Sequence, residues 1–133
     1  MNRNVMLIDD EECIRKAATR LLQRDDITVT TLPDGQNAAE AVAAKRPAVV
    51  FLDFKMPGKD GLEVLKEIKA ASPDTPVFMV SGYMNSESAA QAGRLGASDY
   101  ILKPVDWHQL RDLARQYVER GSLAPKPEDY AAH

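Results

Sequence analysis

Asp9, Asp10, Asp53, Ser81 and Lys103 are side chains of types that do chemistry together. Each closes a short apolar run: Asp9 and Asp10 follow VMLI, Asp53 follows AVVFL, Ser81 follows PVFMV and Lys103 follows DYIL. Carboxylates packed side by side repel and raise one another's pKa unless a cation is present. A hard divalent ion relieves that repulsion. Mg2+ prefers oxygen ligands, keeps several waters and is held by one or two carboxylates plus phosphate oxygens. One carboxylate is then left to act as a nucleophile, and a carboxylate can accept a phosphoryl group to form an aspartyl phosphate. The ion and Lys103 would neutralise charge on the transferring group, which is most of what phosphoryl transfer asks of a protein. Ser81 could donate a hydrogen bond to a phosphoryl oxygen.

Such a convergence needs strands that all end on one side of a sheet. The apolar runs are VMLI (5–8), ITVTTL (27–32), AVVFL (48–52), PVFMV (76–80) and DYIL (99–102). Four of them alternate little, which suits strands buried on both faces of a parallel sheet. Between the runs, Ile14, Ala17, Ala18, Leu21 and Leu22 fall on one helical face. Leu110, Leu113, Ala114, Tyr117 and Val118 repeat that spacing, Leu62, Leu65 and Ile68 shorten it, and Ala38, Ala41 and Val42 weaken it. Residues 86–95 bring only Ala89, Ala92 and Leu95 into phase. Breakers fall at the turns: Pro33-Asp34-Gly35, Pro47, Ser72-Pro73, and Gly121 after the last helix.

The order βαβαβαβαβα predicts an α/β fold, a doubly wound five-stranded parallel sheet with five helices on both faces. Ligands of such sheets bind beyond the carboxyl ends of the strands. The run ending at Leu32 and Pro33 offers no reactive group, as expected of an edge strand. Residues 1–121 read as one domain and 122–133, with Pro125, Pro127 and no apolar period, as a flexible C-terminal tail.

Composition narrows the function classes. The chain has 133 residues, 44% hydrophobic and 28% charged, which is globular and not disordered. Seventeen Lys and Arg against 20 Asp and Glu give a net charge of -3, too acidic for a nucleic-acid binder by bulk electrostatics. The lone Cys13 cannot form an internal disulfide and suits a reducing cytosol. AVVFL is far shorter than the roughly 20 residues of a membrane span, and acids from Asp9 onward exclude a signal-peptide core. The expectation is a cytoplasmic protein with no membrane and no direct nucleic-acid contact.

The motifs VMLIDDEE (5–12), VVFLDFKMPGKDGLEVL (49–65), VFMVSGY (77–83) and GASDYILKPVD (96–106) together resemble the receiver domain of two-component response regulators. The likeness is to the single-domain, chemotaxis-regulator-like type. It implies a flavodoxin-like strand order 2-1-3-4-5. It implies that Asp53 is the phosphoacceptor, that Lys103 pairs with the phosphoryl group, and that Ser81 and Tyr100 are the switch hydroxyl and aromatic. By the same resemblance Mg2+, or Mn2+ in its place, is held by Asp53, Asp10 directly, Asp9 through water, and the backbone carbonyl of Lys55. The Lys103–Pro104 peptide is implied to be cis. Lys55 and Tyr83 stand at the variable positions that tune phosphoryl lifetime, and Gly82 stands where many receivers carry Ala.

The implied partners are a histidine kinase or phosphotransfer protein and a downstream protein. The latter docks on the face of the fourth helix, fifth strand and fifth helix. The chain is then a signalling switch and not an enzyme. Alternatives are a receiver cut from a longer response regulator or hybrid histidine kinase, and a degenerate receiver used only for docking. A haloacid-dehalogenase-type phosphotransferase would carry a second Asp at position 55, where Lys55 stands. A flavodoxin-like electron carrier would place the FMN phosphate against carboxylates. Cys13, His108 and His133 read as bystanders, Trp107 as an anchor for the last helix, and Arg111, Arg115 and Arg120 as a solvated face or part of a partner surface.

Overall fold

In the computed structural model, β1 (Asn4–Ile8), β3 (Val49–Asp53) and β4 (Val77–Ser81) are buried almost throughout. Their β-branched and aromatic residues suit a pleated surface, and the lack of polar alternation leaves neither face fit for water. The structure describes residues 2–83 and 85–120, so the stop at Gly121 and the tail over 122–133 lie outside the described residues.

β2 (Thr28–Leu32) and β5 (Asp99–Leu102) complete a parallel sheet of order β2-β1-β3-β4-β5. In register, Asp53 faces Val80 and Ser81 faces Leu102, so the polar strand ends come level. β2 is an edge, as its unreactive end suggests. β5 departs from the expectation of a strand buried on both faces. Only Ile101 is buried there, and Tyr100 and Leu102 are 40% and 55% exposed.

α1 (Glu12–Gln23) and α5 (Trp107–Arg120) cover one face; α2 (Ala38–Lys45), α3 (Gly61–Ala71) and α4 (Ser86–Arg94) lie on the other side. Val5, Leu7, Phe51 and Phe78 pack against Ala18, Leu22, Leu110 and Tyr117 in one core. Met6, Ile8, Val50 and Leu52 pack against Val42, Val64, Ile68 and Ala92 in the other. α4 contributes a single buried side chain, Ala92, to that second core. Tyr100 and Leu102 alternate with Ile101 and face this thinly covered side, which leaves them in water.

Side-chain caps set where α3 and α4 begin. Asp60 accepts from the Glu63 N–H at 2.9 Å and Asn85 from the Ser88 N–H at 2.7 Å, and such caps contribute about 1 kcal/mol each. The Asp106 carboxylate does the same for α5, accepting from the His108 N–H at 3.0 Å.

Arg111 is neither free nor merely solvated. Its Nε and Nη2 donate to the two carboxylate oxygens of Asp25 at 2.7 and 2.9 Å, tying α5 to the turn after α1. The pair holds the Asp25 carboxyl below its usual pKa and is bidentate, the geometry in which a partly exposed ion pair counts. Arg111→Ala is expected to lower the thermal midpoint modestly. High salt should shrink the gap between variant and parent, because the pair is partly screened. A gap that is unchanged in salt would assign the effect to lost packing. Arg120 lies over the Tyr117 ring, 4.9 Å from its centroid. No helix among the described residues is long and apolar enough to cross a membrane.

Candidate functional site

Beyond the last residue of β1, the Asp9 N–H donates to the Leu32 carbonyl at 3.0 Å, which continues the ladder and places the side chain at the sheet end. Asp9 is fully buried. Its Oδ1 accepts from the Glu11 N–H at 2.8 Å. Its Oδ2 receives no well-directed hydrogen bond, although Lys103 Nζ stands 3.2 Å away. Asp53 closes β3, buried as well, with Oδ1 accepting from the Lys55 N–H at 3.4 Å. Lys103 follows β5; its N–H donates to the Ser81 carbonyl at 2.7 Å and its bond to Pro104 is cis, as the resemblance implied. Lys103 Nζ lies 3.4 Å from Asp53 Oδ2 and 3.7 Å from Glu11 Oε1.

The balance of charge is negative. Burial, then the nearby Asp9 charge, pushes the Asp53 carboxyl up to about 6, with Lys103 and the Lys55 N–H pulling the other way. Burial works against the Lys103 ammonium, but the charges of Asp53, Asp9 and Glu11 outweigh it and hold the group above its usual value. One ammonium therefore serves more carboxylates than it can neutralise.

A divalent cation fits this deficit. Carboxylate oxygens of Asp9, Asp10 and Asp53 lie within 4.8 Å of one another, and Asp9 Oδ2 is a buried acceptor still lacking a directed partner. The donors are all hard oxygens and Asp10 is exposed at the open side, leaving room for water ligands, as Mg2+ requires.

Above these groups lies a crevice of about 330 Å³ whose walls include Lys55, Ser81, Tyr83 and Glu11. Ser81 is buried at the end of β4, and its hydroxyl is engaged by its own loop. Its Oγ donates to the Tyr83 carbonyl at 2.5 Å and accepts from the Tyr83 N–H at 3.1 Å. Tyr83 is 71% exposed at the mouth.

Of the residues singled out in the sequence, Asp9, Asp10, Asp53, Lys55, Ser81, Tyr83 and Lys103 thus meet at one place. Tyr100 does not line the crevice; it is out on the exposed side of β5. Glu11 is the addition: the sequence shows it only as one of a run of acids, and the structure sets its carboxylate on Lys103. The arrangement offers a buried carboxylate, a cluster of oxygens that could hold a cation, an ammonium and a hydroxyl around an open pocket.

Comparison with known proteins agrees with this geometry. The family model described as response regulator receiver domain matches residues 5–115. The DNA-binding transcriptional regulator NtrC of Escherichia coli K12 is 39% identical over 125 residues, covering 94% of this chain and 27% of that protein. The chain therefore spans about a quarter of that relative's length. Sporulation initiation phosphotransferase F of Bacillus subtilis is 29% identical over 118 residues, 89% of this chain and 95% of that protein. Among solved structures, the receiver domain of NtrX from Brucella abortus superposes with a TM-score of 0.76 at 37% identity, covering 86% of this chain and 98% of that one.

Proposed function

The chain belongs to the response regulator receiver domain family, and on that premise we propose that Asp53 takes a phosphoryl group from the phosphohistidine of a histidine kinase or phosphotransfer protein. The observation that carries this is the setting of Asp53. It is a buried carboxylate with its pKa raised to about 6, close to a buried Asp9 oxygen without a directed partner and 3.4 Å from the Lys103 ammonium that also faces that oxygen.

In the transfer, an Asp53 carboxylate oxygen forms a bond to phosphorus. The P–N bond to imidazole breaks and its electron pair stays on the nitrogen. Mg2+, when bound, supplies charge neutralisation and orientation at the phosphoryl oxygens; Asp53, Asp10, Asp9 and the Lys55 carbonyl would hold it. Lys103 turns its ammonium toward the arriving oxygens. Ser81 exchanges its bond to the Tyr83 carbonyl for one to the phosphoryl group, and Tyr100 follows it inward from the exposed side of β5. The added charge of roughly -1.5 to -2 is enough to bias such a two-state loop.

The face of α4, β5 and α5 then presents the change to a downstream protein. Exposed Tyr100 and Leu102 lie on this face and suit a protein contact. Lys55 and Tyr83, at the crevice mouth, set how long the acyl phosphate survives. The chain acts on its own phosphoryl group and on no other substrate, and works in the cytoplasm beside its donor. The same switch serves a single-domain relay or a receiver within a longer regulator; the relatives include one protein this chain nearly spans and one it spans by 27%.

The test is incubation with acetyl phosphate, with and without Mg2+, followed by intact mass and peptide mapping. The expected result is one added phosphoryl group, only with Mg2+, on the peptide that contains Asp53. Absence of any Mg2+-dependent gain would overturn the reading.

A further inference from the structure

Glu11 occupies the N-cap of α1, with extended backbone angles of φ -86° and ψ 113°. Ser, Thr, Asp and Asn are favoured there because their short side chains reach back to the first free amides. Glu11 makes no such capping bond. Its backbone N–H is engaged by Asp9 Oδ1 at 2.8 Å, and its carboxylate goes to Lys103 Nζ at 3.7 Å. The helix start forgoes a side-chain cap, and the charge is turned into the crevice.

Lys103 thereby has carboxylates on two sides. Asp9 and Asp53 hold it from the buried side, at 3.2 and 3.4 Å. Glu11, with a side chain 52% exposed, meets it from the solvent side. These contacts are charge pairs at 3.2 to 3.7 Å, so a phosphoryl group on Asp53 competes with the three carboxylates for the one ammonium. Asp9 and Asp53 belong to the cluster that can hold a cation, and Glu11 does not. Glu11 is therefore the partner that competes directly with phosphoryl oxygens for the lysine.

We propose that Glu11 is a positioning residue that braces Lys103 and restrains phosphorylation of Asp53 by small dianionic donors. The proposal rests on the reading of Asp53 as the acceptor. With acetyl phosphate as donor, an Asp53 oxygen bonds to phosphorus while the P–O bond to acetate breaks, and acetate leaves with the electron pair; no proton moves. Glu11 competes for Lys103 with the charge on the transferring group, and the donor must pass the Glu11 carboxylate at the crevice wall. The brace raises the barrier to an unassisted donor, which favours a protein donor whose own contacts supply binding energy.

The experiment measures the rate of phosphoryl uptake from acetyl phosphate by intact mass, at Mg2+ saturating for each protein. Glu11→Gln removes the charge and is expected to speed uptake roughly two- to fivefold, the scale of one partly exposed charge contact. Glu11→Asp keeps the charge but draws it back by one methylene, and is expected to behave like Glu11→Gln. If Glu11→Asp keeps the parent's rate, the effect is general repulsion and the brace is overturned.

A second readout is independent of uptake. In metal-free protein the Lys103 side-chain NMR resonances are expected to shift in both Glu11 variants. They should stay put in Glu12→Gln, whose carboxylate pairs with Lys16. Unmoved Lys103 resonances would also overturn the brace. No uptake by the parent would instead overturn the acceptor reading itself.

Discussion

Asp53→Asn is expected to abolish phosphoryl uptake from acetyl phosphate and, in metal-free buffer near neutral pH, to make the protein more stable than its parent. Asparagine keeps the shape but is no nucleophile, so the first effect follows from chemistry. The second follows from where the parent's charge sits. The Asp53 carboxyl is raised from 3.8 to about 6 in the folded protein, first by burial and then by Asp9. Between those values the folded state holds the proton that the unfolded state has given up. Stability therefore falls as pH rises through this window, and the full cost remains above it. At about 1.4 kcal/mol per unit, the cost is about 2–3 kcal/mol. Asparagine does not titrate and avoids it.

Denaturant unfolding across this pH range, with chelator present, checks the claim. The stability curves of parent and variant should converge in acid and separate on the neutral side, the variant being the more stable. Mg2+ should raise the parent's stability more than the variant's, since it relieves the same repulsion. A variant no more stable than its parent near neutral pH would show that Lys103 already neutralises the pair.

Gly61→Ala is expected to cost about 2–3 kcal/mol and to slow phosphoryl uptake with it, the scale of an overpacked site with limited room to relax. A Cβ at Gly61 would stand 2.7 Å from the Phe54 Cα and carbonyl oxygen and 2.8 Å from the Asp53 carbonyl oxygen. These are backbone atoms and cannot swing aside as a side-chain tip can. The Gly61 N–H donates to the Phe54 carbonyl at 2.9 Å, so the start of α3 is drawn onto the segment that follows Asp53. Making room for a methyl group displaces the end of β3, which carries Asp53. Gly82→Ala is the control. It lines the crevice beside Asp53 with nothing within 4 Å of its added Cβ, and is expected to leave stability nearly unchanged. Equal stability of Gly61→Ala and the parent by thermal unfolding would refute the tight contact.

What could be read in advance follows from where information is local. Asp53 and Ser81 end buried runs, which sets both side chains next to the space beyond the carboxyl ends of the strands. Parallel order then brings those ends together. Helix faces were readable as periods, but not in detail. The stripe Leu62, Leu65 and Ile68 omits Val64, which is fully buried, and includes Leu62, which is only partly so. The core against α3 is wider than one narrow stripe. α4 was the weakest helical signal because its core contribution is one alanine; Asn85 starts it by a cap. β5 looked like the other apolar runs, because a short run does not show how well its faces are covered. Arg111 and Asp25 are 86 residues apart, and no local pattern relates them. Residue types alone do not reveal that the Ser81 hydroxyl is held by Tyr83, or that the Glu11 carboxylate turns to Lys103 instead of capping its helix.

The sheet divides the interior into two oily rooms. Val49 and Phe51 of β3 belong to the core under α1 and α5, while Val50 and Leu52 belong to the one under α2, α3 and α4. Side chains in different rooms share no partners, so paired truncations across the sheet should add in their energetic cost, while pairs within a room should not. The rooms share one rim, the strand ends that carry Asp9, Asp53 and Ser81.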